Sequence, residues 1–234
     1  MYKNKTIKIV QDDCCGCGTC YSICPKNAIS ISVNTKGIYP KIDDNLCINC
    51  GKCLNYCSVD KQQTISVNEK SMNVYAVINK DKKTLNTSSS GGVFYNLAKH
   101  IINQNGVVYG VEFDSNFVAK TCRTDNLDAL KKMMGSKYVQ AILGDCFLQV
   151  KNDLLNERIV LFSGVPCQVH SLLHYLKIEK VNTNNLFTID LICHGVPSPS
   201  IFEQYIGRLQ KKYKSELIDY SFRNKKNGEV QGIR

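Results

Sequence analysis

The 234-residue sequence has no run approaching the roughly 18 consecutive apolar residues that a helix needs to cross a bilayer. Its opening, MYKNKTIKIVQDD, is basic but lacks the apolar stretch of a secretory signal. Neither a membrane span nor an exported protein is therefore expected, and the expected location is cytoplasmic. A concentrated basic stripe is also missing: the formal charge is +10, but the lysines are spread along the chain. That distribution argues against a nucleic-acid partner. A hydrophobic content of 43% excludes a largely disordered chain.

Cysteine is what the sequence has in excess: thirteen residues, eight of them within 14–57. Without a secretory signal, such density points to metal or redox chemistry rather than disulfides. The first run is Cys14-x2-Cys17-x2-Cys20-x3-Cys24-Pro25 and the second is Cys47-x2-Cys50-x2-Cys53-x3-Cys57. Three cysteines two residues apart can wrap one cubane, while the fourth, displaced by three residues, reaches its neighbour. Cys14, Cys17, Cys20 and Cys57 are thus expected to hold one [4Fe-4S] cluster, and Cys47, Cys50, Cys53 and Cys24 a second. Tetrahedral zinc also uses paired C-x2-C elements, but it does not need the third and fourth cysteines at these offsets twice over. Two oxidised cubanes, each bringing a charge of about −2, would lower the formal charge to about +6. Glycines at 16, 18 and 51 suit loops that turn tightly around a cluster. Ser58 follows Cys57 where the pattern prefers proline, and Cys15 does not fit the spacing. Over about residues 5–68 the chain resembles bacterial two-cluster ferredoxins, which implies one-electron transfer at low potential.

Residues 1–70 form a twofold repeat in which strand-like segments (TIKIV, AISISV, TISV) flank the cysteine runs. The reading is an α+β ferredoxin-like cluster domain at 1–70, followed by an α/β domain with a mostly parallel sheet at 71–234. Strands are expected at VYAVI (74–78), VVYGVEF (107–113), RIVLFSG (158–164) and LFTIDLIC (186–193). Helical periodicity marks GVFYNLAKHII, LDALKKMM, CFLQVKNDLL, CQVHSLLHYL and IFEQYIGRLQKKY. The polar ending SFRNKKNGEVQGIR after a strand-like LIDYSF reads as a unit stopped partway; a natural short form would look the same, and a fragment of a longer protein is the expectation.

Ser88-Ser89-Ser90-Gly91-Gly92-Val93-Phe94 precedes a helical pattern, where hydroxyls, glycines and free amides suit a diphosphate, although a plain helix cap has the same composition. Gly135-Ser136-Lys137-Tyr138-Val139-Gln140 gathers a cation, two hydroxyls, an amide and a ring, which fits either a ligand pocket or a polar loop. Ser163-Gly164-Val165-Pro166-Cys167-Gln168 and Cys193-His194-Gly195-Val196-Pro197 each follow an apolar strand, at the edge where open α/β sheets bind ligands.

In this order, SSGGVF, GVEFD, GSKYVQ, LFSGVPCQV and IDLICHGVPSP resemble the beta-subunit family of coenzyme F420 hydrogenases and dehydrogenases over about residues 75–224. The resemblance implies an iron–sulfur flavoprotein oxidoreductase. FAD would exchange hydride with a small-molecule donor or acceptor, a deazaflavin (coenzyme F420) or another, while clusters pass single electrons to a redox partner protein or subunit. It places Ser89, Ser90, Gly91 and Gly92 at the flavin phosphates. Ser136, Lys137, Tyr138 and Gln140 would line the same pocket, with Gly164 and Pro166 nearby. Val165 stands where the family usually has threonine. A third [4Fe-4S] cluster is also implied, taking Cys167 and Cys193 with further cysteines from beyond Arg234; without the resemblance both read as buried strand-end thiols.

His194 is placed for proton transfer at a strand end. His170 and His174, four apart with no glutamate between them, are expected on a solvated helix face. Cys122 and Cys146 read as core or surface thiols. Two other functions compete with the oxidoreductase: a non-enzymatic ferredoxin-type relay docking to a partner enzyme, and a vestigial assembly protein.

Overall fold

The computed structural model describes residues 6–8, 13–59, 72–225 and 230–233. The segment TISV at 64–67 and Ile9 and Val10 of TIKIV lie outside these residues. No described helix is long and apolar enough to cross a membrane.

The cysteine-rich unit contains α1 (Thr19–Ile23), the antiparallel hairpin β1 (Ile29–Asn34) and β2 (Gly37–Ile42), and α2 (Lys52–Asn55). The internal repeat is visible in its backbone. Each short helix starts at a glycine in the left-handed region, Gly18 at φ 75° and Gly51 at φ 72°, a conformation in which a Cβ is strained. Ile7, Cys20, Ile29, Leu54 and Cys57 form its small buried core.

The rest of the chain is built on a four-stranded sheet in the order β4 (Ala119–Thr124), β3 (Val107–Phe113), β5 (Val160–Gly164), β6 (Leu186–Asp190). β3, β5 and β6 are mutually parallel, and β4 pairs antiparallel with β3 at one edge. The helices are α3 (Lys82–Thr87), α4 (Val93–Asn103), α5 (Leu127–Met133), α6 (Cys146–Leu155), α7 (Pro166–Ile178) and α8 (Pro199–Tyr213), and a short hairpin follows, β7 (Tyr220–Asn224) with β8 (Val230–Ile233). Strand alternation sorts the core into two layers. Val107, Tyr109, Val160 and Phe162 meet α6 and α7, while Val108 and Leu161 meet α4 and α5. The central strands read as continuous apolar runs because both faces are covered. The cysteine-rich unit lies against α6 and α7 through α1, and its hairpin meets α8.

Three expectations differ from this architecture. Residues 74–78 form no strand: Val74 is 97% exposed, and no strand partner lies beside the segment among the described residues. β propensity without a pairing edge does not make a strand. β6 ends at Asp190, three residues short of the expected end, and Ile192 beyond it is 95% exposed. His174 is buried rather than on a solvated face, with its ring stacked on His170. The reason is that α7 is covered twice, by the sheet on one side and by the cysteine-rich unit on the other. There the Ser58 and Ser171 hydroxyls are 2.8 Å apart, and the Tyr56 hydroxyl donates to Glu179.

Candidate iron–sulfur and ligand sites

Two cavities flank the cysteine-rich unit, and each is lined by one crossed quartet. The first carries Cys14, Cys17, Cys20 and Cys57 with apolar walls from Ile7, Ile31 and Ile38. The second carries Cys24, Cys47, Cys50 and Cys53 between Ile29, Ile42 and Ile48. Among the described residues no three His, Cys, Asp or Glu side chains converge on a single ion position. The thiols surround a volume instead, an arrangement that fits a cubane, in which each thiolate takes its own corner. Backbone amides already point at the sulfurs: Gly16 N donates to Cys14 Sγ at 3.4 Å and Ala28 N to Cys24 Sγ at 3.3 Å. Burial pushes the Cys14, Cys20 and Cys53 thiols above their ordinary pKa, so as free thiols they favour the protonated form. The first quartet is the more enclosed, with Cys17, Cys20 and Cys57 buried; in the second Cys50 is exposed.

Cys15, which the cysteine spacing leaves unassigned, stands beside Cys167. The interaction of the two thiols pushes Cys15 up to about 12 and draws Cys167 below its ordinary value. Cys167 follows β5 and Cys193 follows β6, so the parallel pairing of these strands brings both to one sheet edge. Cys193 lies within electrostatic range of Cys167. Gly195 N donates to Cys193 Sγ at 3.5 Å.

On the sheet unit, the Ser88–Gly92 turn leads into α4. Gly92 is its N-cap at φ 79° with no side-chain cap, so the first amides of α4 have no side-chain acceptor, as an anion site requires. Ser136 N donates to Ser89 Oγ at 2.6 Å, which joins this turn to the 136–140 segment. Lys225, which the sequence did not single out, supplies a cation beside the turn, its Nζ donating to Ser90 O at 2.6 Å and Leu85 O at 3.0 Å. Lys137 donates to Lys132 O and Met134 O, and burial lowers it to about 8. Tyr138 packs edge-on to Phe222 with Arg223 over its ring. Gln140 points toward the cysteine-rich unit: its Oε1 accepts from Ile38 N at 3.0 Å and its Nε2 donates to Cys15 O at 3.1 Å. Gly164 ends β5 and Pro166 opens α7, where Gln168 Oε1 accepts from Val165 N.

Residues 13–61 match the family model of the 4Fe-4S dicluster domain, and residues 157–232 match that of coenzyme F420 hydrogenase/dehydrogenase, C terminus of the beta subunit. Over residues 157–232 the chain is similar to this beta-subunit family. The match to the dicluster domain precedes that segment. The chain is 23% identical over 251 residues to an F(420)H(2) dehydrogenase subunit of Methanosarcina mazei, covering 98% of this chain and 69% of that one. It is 35% identical over 51 residues to an uncharacterized ferredoxin of Methanocaldococcus jannaschii, covering 22% and 66% respectively. A chain of the F420-reducing [NiFe] hydrogenase complex from Methanosarcina barkeri aligns at 14% identity with a TM-score of 0.47, over 72% of this chain and 63% of that one. The present chain therefore spans less than two thirds of that hydrogenase chain.

His194 is exposed on the loop after β6. Cys146 is a core residue of α6 and Cys122 is half-buried on β4.

Proposed function

We propose that the chain is an iron–sulfur electron-transferring oxidoreductase subunit with two [4Fe-4S] clusters in a domain of residues 1–70 and a flavin in the domain that follows. The observation that carries this reading is the pair of cavities, each lined by one crossed quartet. The cubanes would move single electrons, and FAD would exchange hydride with a deazaflavin or another acceptor. The chain's own residues divide the work. The cysteines supply thiolates, and the Gly16 and Ala28 amides stabilise charge on two of the sulfurs. The uncapped start of α4, with Ser89, Ser90, Gly91, Gly92 and the Lys225 cation, offers donors to a diphosphate. Ser136 N holds the neighbouring segment against that turn. Cys167 and Cys193 would contribute to a third cluster at the β5–β6 edge, next to Cys15.

A second reading, a relay without flavin, is favoured by one observation: Lys137 and Gln140 spend their donors within the chain. Anaerobic purification separates the two. The flavoprotein reading expects about eight irons per chain for the two ferredoxin-type cubanes together with stoichiometric flavin. Iron without flavin leaves the relay, and stoichiometric zinc in place of iron removes both.

A further inference from the structure

The sequence grouped Gln140 with the flavin-pocket residues, yet its side chain lies between the two parts of the chain. Its Nε2 donates to Cys15 O at 3.1 Å and its Oε1 accepts from Ile38 N at 3.0 Å, so one amide clamps the first cysteine loop to β2. The fit is close on both sides. A Cβ added to Gly16 would stand 2.6 Å from Gln140 Nε2, and one added to Gly37 would stand 2.9 Å from Oε1. The clamp also has a fixed base, because Ile142 N donates to Ala119 O and Ile142 O accepts from Thr121 N, both at 2.9 Å, along the edge of β4.

The carbonyl that Gln140 engages belongs to the same peptide unit as Gly16 N, and Gly16 N donates to Cys14 Sγ at 3.4 Å. A hydrogen bond accepted by a peptide oxygen polarises that peptide and strengthens its N–H as a donor. Donors to a ligating sulfur withdraw charge from it, which favours the reduced, more negative cluster. We propose that Gln140 is a positioning residue that raises the reduction potential of the cluster held by Cys14, Cys17, Cys20 and Cys57, and leaves that of the Cys24, Cys47, Cys50 and Cys53 cluster unchanged. The inference rests on the proposed cluster assignment. It gives the 136–140 segment two ends with different duties: Ser136 N on Ser89 Oγ, beside the α4 turn, and Gln140 on the cluster loop. The sheet unit is thereby tied to the enclosed cluster, while the exposed Cys50 belongs to the other.

The test is a redox titration of the full chain, purified anaerobically and followed by electron paramagnetic resonance, with Gln140→Met and Gln140→Glu. Methionine keeps the volume and removes both hydrogen bonds; glutamate keeps the shape, loses the donor and adds a negative charge. Cys50→Ser identifies the signal of the second quartet. The first-quartet potential should fall in Gln140→Met and fall further in Gln140→Glu, with iron per chain unchanged and the second-quartet potential unmoved in Gln140→Met. If Gln140→Glu fails to accumulate, the methionine variant decides alone. Unmoved potentials, or equal shifts of both signals at full iron content, overturn the proposal. A native chain without iron overturns the cluster assignment and this inference with it.

Discussion

Lys137 shows how a single side chain can be identified by type in the sequence while its direction stays hidden. The GSKYVQ segment read as a set of polar groups needing partners, and three of its side chains meet partners within the chain: carbonyls for Lys137, Phe222 and Arg223 for the Tyr138 ring, the cysteine loop for Gln140. Residue type and spacing give the demand for hydrogen bonds but not the direction in which a flexible side chain satisfies it. Burial lowers Lys137 from 10.5 to about 8. Between these values the unfolded chain holds a proton that the folded chain has released, so this group's contribution to stability is least favourable below about 8 and improves as pH rises toward 10.5. Urea unfolding at about pH 7 and about pH 10 should therefore show the native chain gaining stability relative to Lys137→Met at the higher pH. A constant difference between the two would mean that Lys137 titrates like a surface lysine.

Among the elements, those with strong periodicity were the most legible. α6 covers residues 146–155 and β3 covers 107–113, both as the apolar pattern indicates. β4 was not legible, because AKTCRT buries only its terminal Ala119 and Thr124 and becomes a strand by pairing with β3. The reverse failure, VYAVI at 74–78, has the strand composition and no partner. β4 nevertheless carries a key link to α6. Arg123 donates to Asp153 at 2.8 and 2.9 Å, and the Tyr109 hydroxyl donates to the same carboxylate. Burial opposes ionisation of Asp153, but the hydrogen bonds from Arg123 and Tyr109 outweigh it and hold the carboxyl below its ordinary value. Stability from this group is present above the ordinary carboxylate pKa and is lost as pH falls through the depressed one. Asp153→Asn should cost roughly 1.5–3 kcal/mol near neutral pH, the range for hydrogen bonds to charged groups, and the difference from the native chain should shrink in acid. Chemical denaturation of the two proteins across pH checks both parts; a cost that does not change with pH would assign the effect to packing.

At the scale of the whole molecule, the cysteine runs were legible because a metal cluster constrains spacing, whereas the joint between the two parts was not. Ser58, a departure from the expected proline, meets Ser171; Tyr56 and Lys151 share Glu179; and Ser198 Oγ donates to Asn34 O. None of these pairs is near in sequence. The crossed assignment has its own test: Cys57→Ala should perturb the same cluster signal as Cys14→Ala, and Cys24→Ala the same signal as Cys47→Ala. The opposite matching would mean that each run keeps its own fourth ligand. Crossing also has a consequence for synthesis. As the chain leaves the ribosome, the first run emerges with three of its thiolates ready and the fourth not yet made, because Cys57 arrives only with the end of the second run. Under the crossed assignment the second cubane has its last ligand at Cys53 and the first only at Cys57, so iron loading waits for a chain that includes the second run, and the second cluster can close before the first.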